Sequence, residues 1–342
     1  MKRKTIILSG FLVATAVIFL LIVTSSFFIY NLVIMRQASQ TFNNQQNVPL
    51  ILETTAVNAF EENNNLSADF NLAAQDVFAN EKWLENKFYE SWSVISDDGL
   101  KLMGYYIPAA QETDKTAIIA HGYLGQGMDM DNFARFYSEK LGFNVLLPDA
   151  RGHGASEGDY IGFGWPDRKD YLLWIQKVID RSGDQAQIVL HGISMGGATV
   201  MMVSGEALPQ QVKAIVEDCG YSSVYEEFTY QFQRRFSISG FPFIEAASML
   251  TQLRAGYSFY EASAIKQLTK NQTPTLFIHG MNDSLVPTNM VWQLYKACRA
   301  EKEIYLVEGA SHGMAYVVNP DLYENVVTNF LSRYVEFDYS TV

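Results

Sequence analysis

The sequence predicts an α/β fold in which a mostly parallel central sheet is flanked by helices. From about residue 90, short runs rich in Val, Ile, Leu and Phe alternate with amphipathic segments, and this alternation is typical of a parallel sheet covered by helices. An interruption at residues 221–268 predicts a small helical insertion. A long apolar N-terminal stretch adds a transmembrane helix to this architecture.

The N-terminal segment predicts a membrane anchor. Residues 5–35 contain no charged side chain and are long enough to cross a hydrocarbon core of ~30 Å. Lys2, Arg3 and Lys4 precede them and are expected to stay in the cytoplasm, which places the body of the protein outside the cell. A cleaved signal peptide is the alternative, but its apolar region would span only ~7–15 residues. We therefore predict that residues 1–36 form an uncleaved single-pass anchor in the cell membrane.

Residues 37–89 predict a polar spacer. They are rich in Asn and Gln, a composition typical of a solvated tether or of short helices that lift a domain off the membrane. Residues 69–89 have apolar positions near helical spacing and predict a helix. Removal of residues up to Met35 is accordingly expected to release the protein without loss of function.

Residues 90–342 predict the main domain. An Asp-Asp-Gly turn at residues 97–99 joins its first two strands as a hairpin. The predicted strands are residues 91–95, 101–107, 116–120, 143–148, 188–191, 214–216, 275–278 and 304–307. The predicted helices are residues 128–140, 167–180, 195–204, 289–300 and 321–337.

The insertion at about residues 221–268 is predicted to be a cap over the active-site crevice, because insertions at the carboxyl ends of strands lie there. It is rich in Phe and Tyr. These aromatic side chains either line an acyl pocket or pack the cap against the domain.

Composition argues against a nucleic-acid-binding protein and against a protein held together by disulfides. A net charge of -12 with 25 scattered Lys and Arg residues argues against a nucleic-acid partner. Cys219 and Cys298 are too few for a disulfide framework and lack metal-ligand spacing, so both are predicted to be buried. No metal site and no organic cofactor is expected.

The sequence Gly-Ile-Ser-Met-Gly at residues 192–196 follows a predicted strand and opens a predicted helix. Glycines beside a serine in this context let strand and helix pass closely while a tight turn exposes the hydroxyl. Ser194 is therefore the predicted nucleophile, and it needs a base and an orienting acid. His312, in a loop after the last strand, is the predicted base, and Asp283 is the preferred acid. Glu217 and Asp218 are alternative acids.

Two further motifs complete a resemblance. His121 and Gly122 follow the third strand, and Asp-Ala-Arg-Gly-His-Gly-Ala-Ser at residues 149–156 follows the fourth. From residue 90 onward the chain resembles the α/β-hydrolase superfamily, within it the serine esterase, lipase and peptidase-like group. The resemblance implies an oxyanion hole built from the backbone N–H groups of Tyr123 and Met195. It also implies structural roles for His121 and for residues 151–154, with Arg151 paired to Asp170.

The expected activity is hydrolysis of carboxylic esters through an acyl-enzyme, with a small-molecule or lipid-like acyl substrate. A serine peptidase or amidase using the same residues is the main alternative. A non-catalytic surface binding protein is the third possibility, but decayed sites usually lose the serine, the histidine or an elbow glycine, and all are present here.

Overall fold

The computed structural model describes residues 2–36 and 83–337. Eight strands of the described chain form one sheet. Their bounds are Glu90–Ile95 (β1), Lys101–Ile107 (β2), Lys115–Ala120 (β3), Asn144–Pro148 (β4), Gln187–Ile193 (β5), Val212–Asp218 (β6), Thr275–Gly280 (β7) and Lys302–Val307 (β8). Each predicted strand is present, with ends within two residues of the predicted ones. The predicted fold class is confirmed.

The strand order is β1-β2-β4-β3-β5-β6-β7-β8. The β1–β2 and β2–β4 pairs are antiparallel and the others are parallel. Ile95 pairs with Lys101 across the predicted hairpin turn, where Gly99 has a φ of 88°. Because β3 and β5 lie at the centre and are almost entirely buried, the loops after their carboxyl ends meet in the middle of one sheet edge.

Helices cover both faces of the sheet, as predicted. The α-helices of the described chain are Lys2–Ile29 (α1), Asp131–Arg135 (α2), Asp167–Ser182 (α3), Met195–Val203 (α4), Val224–Phe236 (α5), Phe243–Ala255 (α6), Ala264–Leu268 (α7), Asn289–Ala297 (α8), Ala315–Val318 (α9) and Pro320–Leu331 (α10). The last helix ends six residues before the predicted residue 337. There the chain turns so that the Glu336 N–H donates to the Gln187 side chain at 2.9 Å.

The helix predicted at residues 128–140 is instead three short pieces. A 3₁₀ turn at Gly127–Asp129 precedes α2, and a π turn at Phe136–Lys140 follows it. The Asp131 carboxylate accepts hydrogen bonds from the backbone N–H groups of Trp83 and Leu84 at 3.2 and 2.7 Å. These contacts with a distant segment hold the start of α2 in place, and periodicity cannot reveal them. Most of the helix predicted at residues 69–89, and the predicted spacer before it, lie outside the described residues.

The predicted insertion consists of α5, α6 and α7, and lies over the carboxyl edge of the sheet. Tyr230 of α5 donates to the Ser284 carbonyl at 3.0 Å, and Gln231 donates to the Leu285 carbonyl at 2.6 Å. These bonds attach the cap to the loop after β7. Cys219 and Cys298 are both buried, as predicted.

The N-terminal helix continues from α1 into a π turn at Tyr30–Ile34 and is long and apolar enough to cross a membrane. Its far end packs against the domain. The Ile161 N–H donates to the Ile34 carbonyl at 2.7 Å, and the Arg36 guanidinium donates to the Gly154 carbonyl at 2.9 Å. The end of the apolar helix therefore contacts the domain directly. A tether at residues 37–89 does not predict this contact.

Candidate active site

The turn between β5 and α4 places Ser194 at the carboxyl edge of the sheet. Ser194 has a φ of 57° and a ψ of -117°, a backbone conformation that costs about 1–3 kcal/mol. Its N–H donates to the Asp218 carbonyl at 2.8 Å, which holds the turn. A Cβ on Gly192 would lie 2.1 Å from the Gly196 carbonyl oxygen, and one on Gly196 would lie 2.1 Å from that of Ala120. Only glycine fits at these two positions.

Ser194, His312 and Asp283, which the sequence predicts as a catalytic set, lie together in the structure. His312 Nε2 is 2.8 Å from Ser194 Oγ, and His312 Nδ1 is 2.7 Å from Asp283 Oδ2. Because a carboxylate only accepts, Nδ1 carries the proton. Nε2 is therefore free to accept the hydrogen bond of the serine hydroxyl. This arrangement can transfer the serine proton to the imidazole.

The Asp283 carboxylate accepts from several donors. Oδ1 accepts the backbone N–H groups of Leu285 and Val286, both at 2.9 Å. Oδ2 faces His279 Nε2 at 3.3 Å as well as His312. Burial raises the pKa of Asp283, but the electrostatic interactions and hydrogen bonds with His312 and His279 outweigh burial, so its pKa lies below the ordinary value. The group stays ionised at neutral pH.

The pKa of His312 is raised. Burial lowers the pKa of the imidazole, but the charge and hydrogen bond of Asp283, with the charges of Glu227 and Asp218, outweigh burial. A raised pKa makes Nε2 a stronger base for the serine proton. The same charges stabilise the imidazolium that forms when the proton is transferred.

The alternative acids do not contact His312. Asp218 Oδ2 accepts from the Tyr323 hydroxyl at 3.0 Å, and Glu217 Oε2 accepts from the Gly220 N–H at 3.0 Å. His191 is held between the hydroxyls of Tyr137 and Tyr323 at 3.1 and 3.2 Å, and burial lowers its pKa to about 3. These residues belong to the framework beneath the site.

The loop after β3 carries Tyr123, and α4 begins at Met195 beside it. The first N–H groups of a helix have no acceptor within the helix, so the Met195 N–H is available to an oxygen above Ser194. His121 Nε2 accepts the Ala150 N–H at 3.0 Å, and His153 Nε2 accepts the Leu124 N–H at 3.3 Å. Burial lowers the pKa of His153 to about 3, so it remains neutral. These two rings hold the Tyr123 loop in place.

Arg151 forms the ion pair with Asp170 that the resemblance implies. Nε and Nη2 donate to the two carboxylate oxygens of Asp170 at 2.8 and 2.7 Å, and Nη1 donates to Asp98 Oδ2 at 2.9 Å. Both Arg151 and Asp170 are buried. The pair fixes the loop after β4 on α3, so its role is structural.

Three features of this region were not predicted from the sequence. His279 was not among the predicted site residues, yet its Nε2 lies 3.3 Å from Asp283 Oδ2, and its i,i+4 spacing is the signal that could have suggested this. Glu227 of α5 is buried near His312, and its Oε2 has no partner in the described chain. The Tyr123 hydroxyl donates to the Val33 carbonyl of the N-terminal helix at 2.9 Å. No local pattern predicts the last two contacts.

The aromatic residues of the cap pack mainly on one another. Phe232 stacks on Phe243 with ring centroids 5.5 Å apart. Phe228 reaches farther, because its ring meets that of Phe163 at 5.0 Å, and Phe163 stacks on Tyr123 at 5.2 Å. Phe228 and Phe163 thus connect the cap to the loop that carries Tyr123.

One group of possible metal ligands exists in the described chain. The donor atoms of Cys219, Asp283 and His312 lie within 4.8 Å of one another. Asp283 and His312 are already joined by their 2.7 Å hydrogen bond, and burial raises the pKa of Cys219 well above its ordinary value. A protonated thiol is a poor metal ligand, so the arrangement fits hydrogen bonding within the protein better than metal coordination.

Comparison with known proteins places this geometry in a family. The sequence model of the prolyl oligopeptidase family matches residues 130–337, more than half of the chain. The chain is 27% identical over 258 residues to the uncharacterized protein YqkD of Bacillus subtilis, covering 75% of this chain and 83% of YqkD.

Two solved structures share the fold. Esterase Pf2001 of Pyrococcus furiosus aligns with a TM-score of 0.61 and 22% identity, covering 74% of this chain and 94% of the esterase. Pyrococcus horikoshii acylaminoacyl peptidase aligns with a TM-score of 0.55 and 19% identity, covering 76% of this chain and 45% of the peptidase. The chain is a hydrolase of the α/β-hydrolase fold and belongs to the prolyl oligopeptidase family.

Proposed function

We propose that the protein is a serine hydrolase that cleaves carboxylic esters, with Ser194 as nucleophile, His312 as general base and acid, and Asp283 as the residue that orients the imidazole. One observation carries the proposal. His312 lies 2.8 Å from Ser194 Oγ through one nitrogen and 2.7 Å from Asp283 through the other. A serine hydroxyl is a weak nucleophile unless a base is placed in this way.

In the proposed reaction, His312 Nε2 takes the hydroxyl proton as Ser194 Oγ attacks the acyl carbon. The negative charge on the carbonyl oxygen is stabilised by the backbone N–H groups of Met195 and Tyr123, each worth about 3 kcal/mol of barrier. The imidazolium then protonates the departing alcohol, which leaves an acyl-enzyme. Water, deprotonated by the same nitrogen, releases the acid and restores Ser194.

We favour ester cleavage over peptide cleavage because of how much of each solved structure this chain covers. The Pyrococcus furiosus esterase is covered over nearly its whole length, whereas more than half of the acylaminoacyl peptidase has no counterpart in this chain. Membership of the prolyl oligopeptidase family supports the peptidase alternative. Comparing turnover of short p-nitrophenyl esters with that of aminoacyl p-nitroanilides separates the two, and faster anilide cleavage would favour the peptidase.

Labelling with a fluorophosphonate probe tests the nucleophile. We expect the full-length protein to be labelled and Ser194→Ala to show no labelling while its far-UV circular dichroism is unchanged. Ser332→Ala is the matched control, because its hydroxyl only donates to the Asn329 carbonyl in α10. Persistent labelling of Ser194→Ala would contradict the proposal, and absence of labelling in the parent protein would favour a binding protein.

The proposed location is the cell membrane, with α1 as an uncleaved anchor and the hydrolase domain outside. Cleavage after Val33 would remove Tyr30, which is buried against the domain, and the carbonyl that Tyr123 binds. Docking of this segment therefore supports a retained helix. Protease added to intact cells should digest a C-terminally tagged protein that stays in the membrane fraction. Protection from the protease would indicate that the domain faces the cytoplasm. A soluble tagged product would indicate that the N-terminal helix is cleaved off.

A further inference from the structure

The outer edge of the cap exposes large apolar side chains. They lie at the end of α5, in the following loop and on α6: Phe236, Ile238, Phe241, Met249 and Leu253. Leu253 is 84% exposed and Met249 is 66% exposed. The surface of a soluble protein seldom exposes so many large apolar side chains together, and such patches usually mark an interaction site.

This edge lies next to the N-terminal helix. The Arg254 guanidinium, one residue from Leu253, lies 5.0 Å from the ring centroid of Phe27 and 5.3 Å from that of Tyr30. Ser26 and Tyr30 are both buried on the side of the helix that faces the domain. Helix α6 therefore runs beside the last turns of the anchor, where Phe27 and Phe28 are also exposed.

The length of the anchor indicates where this contact lies relative to the membrane. Helix α1 has 28 residues, or roughly 42 Å at ~1.5 Å per residue, whereas crossing the hydrocarbon core takes about 20 residues. Counted from the end of the basic cluster at Lys4, the opposite face of the core falls near Thr24. The anchor residues that contact α6 then lie at the membrane surface, and Met249 and Leu253 lie there with them.

Charge fits the same position. Arg234 and Arg235 are exposed in the last turn of α5, and Arg254 is exposed on α6. The chain as a whole carries a net charge of -12, so three arginines beside an apolar edge run against the overall composition. An apolar face bordered by basic residues is typical of segments that lie in the interface of a bilayer with anionic headgroups.

The contact also reaches the candidate active site. Tyr123 carries a proposed oxyanion N–H, and its hydroxyl binds the Val33 carbonyl of the anchor. Ser194 is only 7% exposed beneath the cap. The helix that reaches the membrane surface therefore also contacts the loop beside Ser194.

We propose that the apolar edge of the cap inserts among the lipid acyl chains at the surface of the membrane that α1 crosses, and that the substrate is an amphiphilic acyl ester that reaches Ser194 from the bilayer. The substrate class rests on the proposed ester hydrolysis. The insertion itself rests on the exposed residues of the cap and on the position of α6 beside the anchor.

Site-directed nitroxide labels on the full-length protein test the insertion. Leu253→Cys and Phe241→Cys are labelled in vesicles of equimolar phosphatidylcholine and phosphatidylglycerol, and native Cys219 and Cys298 are buried. Phe88→Cys is the control, because Phe88 is also an exposed apolar residue but lies toward the amino ends of the parallel strands, whereas the cap lies over their carboxyl ends. We expect labels at 253 and 241 to be more accessible to oxygen than to a water-soluble nickel chelate, and the label at 88 to show the reverse.

Two results would overturn the insertion. A label at 253 with the accessibility seen at 88 would place the edge in water. A label accessible to neither reagent would indicate that protein covers the apolar edge, either another segment of this chain or a second copy. Neither measurement depends on catalysis, so the insertion stands or fails independently of the proposed function.

Activity of Met249→Ser/Leu253→Ser tests the route of the substrate. Weaker insertion should lower turnover of a long-chain ester embedded in the vesicles by about tenfold or more, with turnover of soluble p-nitrophenyl acetate unchanged. Equal turnover of the embedded ester, or equal loss on both substrates, would contradict entry from the bilayer. Turnover that survives Ser194→Ala would instead contradict the proposed function.

Discussion

The turn that carries Ser194 and the contacts of the N-terminal helix with the rest of the protein are built in different ways. At the turn, Gly192 and Gly196 allow backbones to touch, and the groups around Ser194 are buried and hydrogen-bonded. At the anchor, single contacts such as that of Tyr123 with Val33 join residues 90 positions apart, and large apolar side chains remain exposed beside them. The first region is encoded locally, whereas the second depends on long-range contacts and, in our proposal, on lipid.

The largest expected effect concerns Asp283, the proposed acid. Asp283→Asn removes the charge that holds His312 in its required tautomer, and we expect kcat to fall on the order of 10⁴-fold. Asp218→Asn is the matched control, because Asp218 contacts Tyr323 rather than His312, and we expect less than about a tenfold loss. Steady-state kinetics on p-nitrophenyl acetate measures both. Comparable losses in the two variants would return Asp218 to consideration as the acid.

The next effect concerns stability of the loops around the turn. Arg151→Ala leaves the buried Asp170 carboxylate without its partner, and we expect the free energy of unfolding to fall by about 3–5 kcal/mol. Arg181→Ala removes a surface ion pair with Glu90 at 3.4 Å and should cost less than about 1 kcal/mol. Denaturant unfolding compares the two. Similar values would mean that the Arg151 pair contributes no more than a surface pair.

A smaller effect tests the anchor contact. Tyr123→Phe removes the hydroxyl that binds Val33, and we expect a loss of about 1 kcal/mol in the full-length protein. In a chain that lacks residues 1–35 the same substitution should cost nothing, since the acceptor is gone. Thermal unfolding of the four proteins gives the coupling energy. Equal effects in both backgrounds would mean that the anchor does not dock on this loop, as the expected tether implies.

The smallest effect is a change in pH dependence. Ser194 is activated only by neutral His312, so kcat/KM should fall as the pH drops through the raised pKa of His312. The Glu227 carboxylate raises that pKa, so Glu227→Gln should move the midpoint to lower pH. Glu245→Gln is the control, since Glu245 binds the Tyr225 hydroxyl elsewhere in the cap. An unchanged or higher midpoint in Glu227→Gln would contradict the electrostatic coupling.

Much of the fold and of the candidate site could be predicted from local patterns. Strand ends fell within two residues because runs of buried apolar residues mark central strands. The Gly-Ile-Ser-Met-Gly turn was recognisable because its glycines are required where backbones pass closely. Asp283 and His312 could be proposed because carboxyl ends of parallel strands share one sheet edge, so position along the chain indicates position in space. Their catalytic roles remain proposals.

The sequence by itself determined the fold class, the apolar N-terminal helix and the loops in which Ser194, Asp283 and His312 lie, because periodicity, glycine sterics and strand order act over short stretches of chain. Only the tertiary structure decided which carboxylate faces His312, how the segment at residues 127–140 divides, and where the anchor meets the domain. Those outcomes depend on hydrogen bonds and ring contacts between distant residues, such as Asp131 with Leu84 and Tyr123 with Val33. Such contacts form only after the chain has folded, and no local pattern encodes them.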